Sequence, residues 1–157
     1  MDKTLPTWLD HLWSSNRDRQ NEAFAAALAA TAQPVDWAYS AWDQVVANLT
    51  HKDNHNRAIA AQLLCRLAKS DPEQRILHDF GALLAVTKDA RFVTARHCLQ
   101  ALWQIGAAGD AQQARLLAGL EARFVECSRE KNWSLLRYDI IAGLRKLYDA
   151  TLVPAVK

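Results

Sequence analysis

Few residues of this chain are of a type that does chemistry, and their spacing limits what they can do. Asp139 lies two residues after Arg137 and six after Trp133, in a helical stretch otherwise rich in cations. A lone carboxylate there is either a general acid or base or one half of an ion pair, and the ion pair is the expectation because charged groups that leave water need partners. His51, Asp53 and His55 would bring two imidazoles together on one helix face, but the polar run His51-Lys52-Asp53-Asn54 places them across a turn. In His78-Asp79 and Arg96-His97-Cys98 the residues adjoin, and adjacent side chains on a helix point apart, so no acid–base or nucleophilic couple is expected from either. The sequence has no glycine-rich phosphate loop and no nucleophile elbow. Cys65, Cys98 and Cys127 are odd in number, widely spaced and set in apolar helical patterns; buried, reduced thiols follow, rather than disulfides or ligands. No catalytic residue, metal or cofactor is expected.

The elements that carry these residues read as helices. Half of the 157 residues are apolar and only 5 are glycine and 4 proline, which disfavours a turn-rich β architecture and predicts an all-α domain with one continuous core. Eight helical segments are expected, over about 5–14, 17–31, 34–49, 54–69, 72–87, 90–105, 110–127 and 132–148. Pro34 is read as opening the third, and Ser70-Asp71-Pro72-Glu73 as cap, first-turn proline and acidic first turn of the fifth. Gly106-Ala107-Ala108-Gly109 is read as a stop in which glycine turns left-handed, and Asp110 as the cap of the seventh segment. Met1 to Pro6 is not followed by the apolar run of a signal peptide, and no stretch reaches the length of a membrane span, so a cytoplasmic protein is expected.

Three of the segments superimpose without a gap: Asn56-Arg57-x-x-Ala60-x-x-Leu63-Leu64-x-x-Leu67, Thr94-Ala95-x-x-Cys98-x-x-Ala101-Leu102-x-x-Ile105 and Leu136-Arg137-x-x-Ile140-x-x-Gly143-Leu144-x-x-Leu147. Corresponding positions recur after about 38 and then about 42 residues, a spacing typical of stacked two-helix units. Gln20-Asn21-x-x-Phe24-x-x-Ala27-Leu28-x-x-Thr31 is a weaker fourth copy, as a capping unit would be. The units pair as residues 5–32, 34–69, 71–106 and 110–148, with a tail at 149–157 expected to fray. Small residues at Ala60, Cys98, Ala101 and Gly143 are expected to let helices approach, with Leu64, Leu67, Leu102, Ile105, Leu144 and Leu147 filling the seams.

The recurring Arg-x-x-Ala-x-x-Ala/Leu-Leu pattern, with Asp53 and Asp89 in preceding turns, resembles HEAT repeats, those of bacterial HEAT-like proteins in particular. The third unit departs from it, with Ala95 at the arginine position, and the last has Glu130-Lys131-Asn132 where the aspartate would stand. The resemblance implies a right-handed α-α superhelix of about four antiparallel helix pairs, used mostly as an interaction scaffold, with the second helix of each pair on the concave side. DNA glycosylases of similar construction use tryptophans with an aspartate in such a groove, which is why Trp133 and Asp139 are weighed together.

Charge divides unevenly between the two ranks. The first helices of the pairs hold eight carboxylates against three arginines; the second hold ten cations against three carboxylates, although the whole chain is only +2. A basic concave face is expected, suited to an acidic partner. Arg66, Arg96, Trp133, Arg137 and Arg145 are the binding candidates on that face, whereas Arg57 and Arg137, at the motif's own arginine position, are expected to bond carbonyls or turn aspartates between units. Trp8, Trp13, Trp37, Trp42 and Trp103 lie on apolar stripes and are assigned to packing. The expected function is a non-catalytic scaffold for a protein partner, an acidic one included, with nucleic-acid binding through the same groove as the alternative and a glycosylase-like enzyme less favoured.

Overall fold

A computed structural model describes residues 5–152, and every regular element in them is helical. A 3-10 turn at Leu9–Trp13 precedes α1 (Arg17–Ala30), α2 (Ala38–Asn48), α3 (Asn54–Leu67), α4 (Arg75–Ala85), α5 (Phe92–Ala101), α6 (Trp103–Gly106), α7 (Asp110–Glu126) and α8 (Trp133–Thr151). The expected first helix is thus reduced to a single 3-10 stretch. Residues 1–4 and 153–157, and with them most of the N-terminal stretch read as lacking a signal peptide and of the tail expected to fray, lie outside the described residues; of the tail, Thr151 is still helical and Leu152 is left-handed at φ 56°. Among the described residues no helix is long and apolar enough to cross a membrane.

Local polar chemistry sets the helix starts. Asn16 accepts the Arg19 N–H at 3.1 Å and Asp53 accepts the His55 N–H at 2.8 Å, each satisfying an amide that a helix leaves free at its beginning. The Ser70-Asp71-Pro72-Glu73 reading is corrected: α4 begins at Arg75, after Gln74 has turned left-handed at φ 54°. The Asp71 carboxylate reaches across that turn to the Arg75 and Ile76 N–H groups, both at 2.9 Å, and Ser70 Oγ instead accepts the Val35 N–H. With the Val35 amide bonded there, the segment after Pro34 stays non-helical and α2 starts only at Ala38. Nor does Asp110 cap α7; extended Gly109 precedes the helix, and Asp110 occupies its first turn. Gly106 remains helical, and no described glycine is left-handed.

The helices pack in two ranks. α1 meets α3, α3 meets α5 and α5 meets α8, while α2 meets α4 and α4 meets α7; α2 with α3 and α7 with α8 tie the ranks together, and α6 wedges against both α7 and α8. The seam residues are largely those of the repeat pattern: Leu63, Leu64, Leu67, Leu102, Ile105 and Leu147 are fully buried, at about 2 kcal/mol of transfer free energy each. Trp42 is buried with them and its N–H donates to Asp79 Oδ2 at 2.8 Å. Two seam assignments change. Closest approach belongs to Gly106 and Gly119, where an added Cβ would stand 2.8 Å from Leu147 Cδ2 and from Phe80 Cε1, whereas one at Gly143 would meet only Leu99 O at 3.8 Å. Leu144, the counterpart of buried Leu64 and Leu102, is only partly buried and lines an open trough, because no helix pair among the described residues follows it.

Candidate binding groove

Several of the chain's arginines are already engaged by carboxylates. Arg57 grips Asp89 through Nε and Nη2 at 2.6 and 3.0 Å and donates from Nη1 to the His51 carbonyl at 2.8 Å, the inter-unit role expected of it. Burial pushes the Asp89 carboxyl up, but hydrogen bonds from Arg57 and from the Arg91 N–H outweigh this and hold it below the ordinary carboxylate value. Arg96 makes the same two-pronged bond with Asp139, at 2.8 and 3.0 Å, and Asp139 is 2% exposed. Asp139 is therefore the ion-pair half, and Arg96 is largely spent on it. Arg123 is 1% exposed; it donates to Thr87 Oγ1 at 2.9 Å and to both oxygens of Glu130, whose carboxyl is held low first by that bond.

The remaining candidates separate in space. Arg137 donates to the Phe124 carbonyl at 2.9 Å, a carbonyl as expected but one of its own helix pair, with its guanidinium 4.5 Å from the Phe124 ring centre and 5.2 Å from that of exposed Trp133. Arg145 pairs with Asp149 one turn on, at an exposed site. Neither these two residues nor Trp133 and Arg96 line the depression that holds Arg66.

That depression is formed by side chains at helical spacing on the second rank. Ala58, Gln62 and Arg66 project from α3 at intervals of four residues; His97, Gln100 and Gln104 recur along α5 and α6; Phe24 and Leu28 come from α1, and Lys146 closes the far end from α8. Two hollows of about 270 and 260 Å³ adjoin, sharing Gln62 and His97, and no carboxylate is among their lining residues. Arg66 donates to Thr31 Oγ1 at 2.8 Å and to the Leu28 carbonyl at 2.7 Å, acceptors that fix the guanidinium without cancelling its charge. Lys69 donates to the Thr31 carbonyl beside it, and burial, followed by the Arg66 charge, depresses its ammonium below the ordinary lysine value. The surroundings are thus positive; the amides of Gln62, Gln100 and Gln104 give one N–H each to the Ala58 carbonyl, Asp139 Oδ1 and the Ala101 carbonyl, and each has a second N–H and a carbonyl to offer.

Of the five binding candidates read from sequence, this groove contains Arg66 alone. His97, Gln62, Gln100, Trp103, Gln104 and Lys146 are the residues that the sequence reading missed. A signal existed in the amides and histidine at intervals of three, four and seven along α3, α5 and α6, but attention to charge passed over neutral donors. Trp103, assigned to packing, is partly buried and turns one edge to the groove.

The side chains weighed for chemistry have the following partners. His51 Nδ1 accepts the Asp53 N–H at 3.0 Å, and Asp53 Oδ1 stands 3.2 Å from His55 Nδ1, so the trio forms the start of α3. His78 Nδ1 does reach Asp79 Oδ1, at 3.1 Å; this corrects the expectation that adjacent residues diverge, and it happens because the wholly exposed imidazole lies back along the helix surface toward a carboxylate fixed by Trp42. Arg96, His97 and Cys98 do diverge, toward Asp139, the groove and the Leu83 carbonyl. All three cysteines are free and buried, and desolvation pushes the Cys65 and Cys98 thiols far up, away from the thiolate that nucleophilic or ligand chemistry requires. Comparison with protein-family models, curated proteins and solved structures finds no match to this chain.

Proposed function

We propose that this protein is a HEAT-like, right-handed stack of helix pairs that acts without catalysis, holding an extended, acidic segment of a protein partner along the face of α1, α3, α5, α6 and α8. The observation that carries the reading is the carboxylate-free groove in which Arg66, His97 and Lys146 alternate with glutamine amides. A peptide main chain presents N–H and C=O groups in alternation, which primary amides match in either direction, and its acidic side chains meet the cations. Trp103 supplies an apolar edge for the peptide's aliphatic parts.

The number of cations decides between peptide and nucleic acid. Single-stranded nucleic acid releases about 0.7 counterions per neutralised phosphate, so contacts from Arg66 and Lys146 alone would give a salt slope of only about −1.4 and weak binding. The test is fluorescence anisotropy with a labelled, glutamate-rich peptide and a single-stranded oligonucleotide of equal charge. The peptide binds, and Lys146→Glu weakens it about tenfold. Tighter binding of the oligonucleotide with a steep, log-linear salt dependence would replace the peptide by a phosphate backbone; binding of neither probe would end the proposal.

A further inference from the structure

We propose that the outward face of the last helix pair, α7 with α8, docks a second copy of this chain about a two-fold axis. The repeat register shows what the face is built for. Ala61, Leu99 and Ile141 are equivalent positions; the first two are buried at 0% and 2% exposure beneath the following helices, while Ile141 is 58% exposed. The same holds for the row Leu64, Leu102 and Leu144, whose last member is only partly buried. The final helix thus carries apolar side chains at the positions that earlier helices use to receive a neighbouring pair.

With Leu117, Phe124 and Val125 of α7, these residues border a trough of about 470 Å³ whose rims carry exposed Val125 and Ile141. Tyr138, 65% exposed, lies one helical step from Ile141 on the same side of α8. Such a face wants a helix pair, and an identical one fits because a two-fold interface pairs a surface with itself.

The charges beside the trough select the second copy: Glu121 borders it, and Arg137 lies against Phe124, which lines it. Glu121 borders the trough on α7, and among the described residues no ion pair engages it. Arg137, on α8, spends Nε on the Phe124 carbonyl and has no carboxylate within salt-bridge distance among the described residues. A two-fold axis running along the helices lays α7 of one copy over α8 of the other, with Glu121 one turn from Arg137 of its mate, and the symmetry makes that contact twice.

Sedimentation equilibrium on the whole chain reads the outcome. The wild type has about twice the 17.6 kDa of one chain. Ile141→Glu, a change at an already exposed position, leaves circular dichroism unchanged and raises the dimer dissociation constant on the order of a hundredfold. Glu121→Arg weakens the dimer about tenfold, and adding Arg137→Glu restores it. Lys146→Glu, which weakens peptide binding in the groove, leaves the mass unaltered, so the two proposals fail separately. A wild type that stays monomeric at sub-millimolar concentration, or a dimer that survives Ile141→Glu, overturns the inference.

Discussion

Cations along the turns and cations in the groove have opposite fates. Arg57 and Arg96 each close on a carboxylate far along the chain, Asp89 and Asp139, and Arg123 closes on Glu130 seven residues on while reaching back to Thr87, so that all three act as clamps. Arg66 is held by a hydroxyl and a carbonyl, and Lys146 stands at the end of a groove lined by amides and an imidazole. The guanidinium groups of both regions are fixed by good hydrogen bonds. Only the second region keeps its charge available, because its acceptors are neutral. A count of cations per helix therefore measures the capacity for clamping and for binding together, and placement of the carboxylates separates the two.

The sharpest way to break this contrast is to remove a clamp. Arg123→Ala should lose about 3 kcal/mol of unfolding free energy, measured by urea titration, because it strips partners from Thr87 and Glu130 and leaves a void among buried residues. A loss below about 1 kcal/mol would mean that water replaces the clamp and that turn arginines are no different from surface ones.

A smaller effect, about 1–2 kcal/mol at neutral pH, is expected for Asp89→Asn, and it should depend on pH. The folded carboxyl titrates below its unfolded counterpart, so its stabilisation is complete above the ordinary aspartate range and disappears as pH falls through the depressed folded value. Urea midpoints of the wild type and variant should accordingly converge in acid; a gap constant with pH would refute the clamp. The smallest effect tests the other region. Lys146→Gln should change stability by no more than about 0.5 kcal/mol while weakening the acidic peptide several-fold, read by thermal melts and anisotropy on the same samples. A destabilised variant would make Lys146 another structural cation.

Much of the architecture was legible because it follows from local periodicity. Apolar residues at intervals of three and four marked Leu64, Leu67, Leu102, Ile105, Leu144 and Leu147 for the seams, and all but the partly buried Leu144 are buried. The motif position identified Arg57 as a link between units and gave Arg137 its carbonyl partner. Helix beginnings were read less well where the decisive contact was distant in sequence. Asp71 and Ser70 look alike as caps, but Val35 engages one and Tyr39 the other, and those partners come from the preceding unit.

The candidate site was legible only at Arg66. Arg96 and Arg66 both sit on second helices and were both read as groove candidates, yet one faces a carboxylate 43 residues away and the other does not. Trp103 packs against the core and Trp133 is exposed, as each was read, but Trp103 also borders the groove while Trp133 lies elsewhere, beside Arg137.

By itself the sequence determined the helical class, the order of the elements, most of the apolar seam and the burial of the cysteines, since each depends on the spacing of neighbours along one helix. Tertiary structure decided which cations remain free, which amides line the groove and that the last helix pair exposes the face its predecessors bury. Those are relations between residues some thirty to forty positions apart, and a charge or an apolar side chain has no fixed role until packing sets what lies across from it.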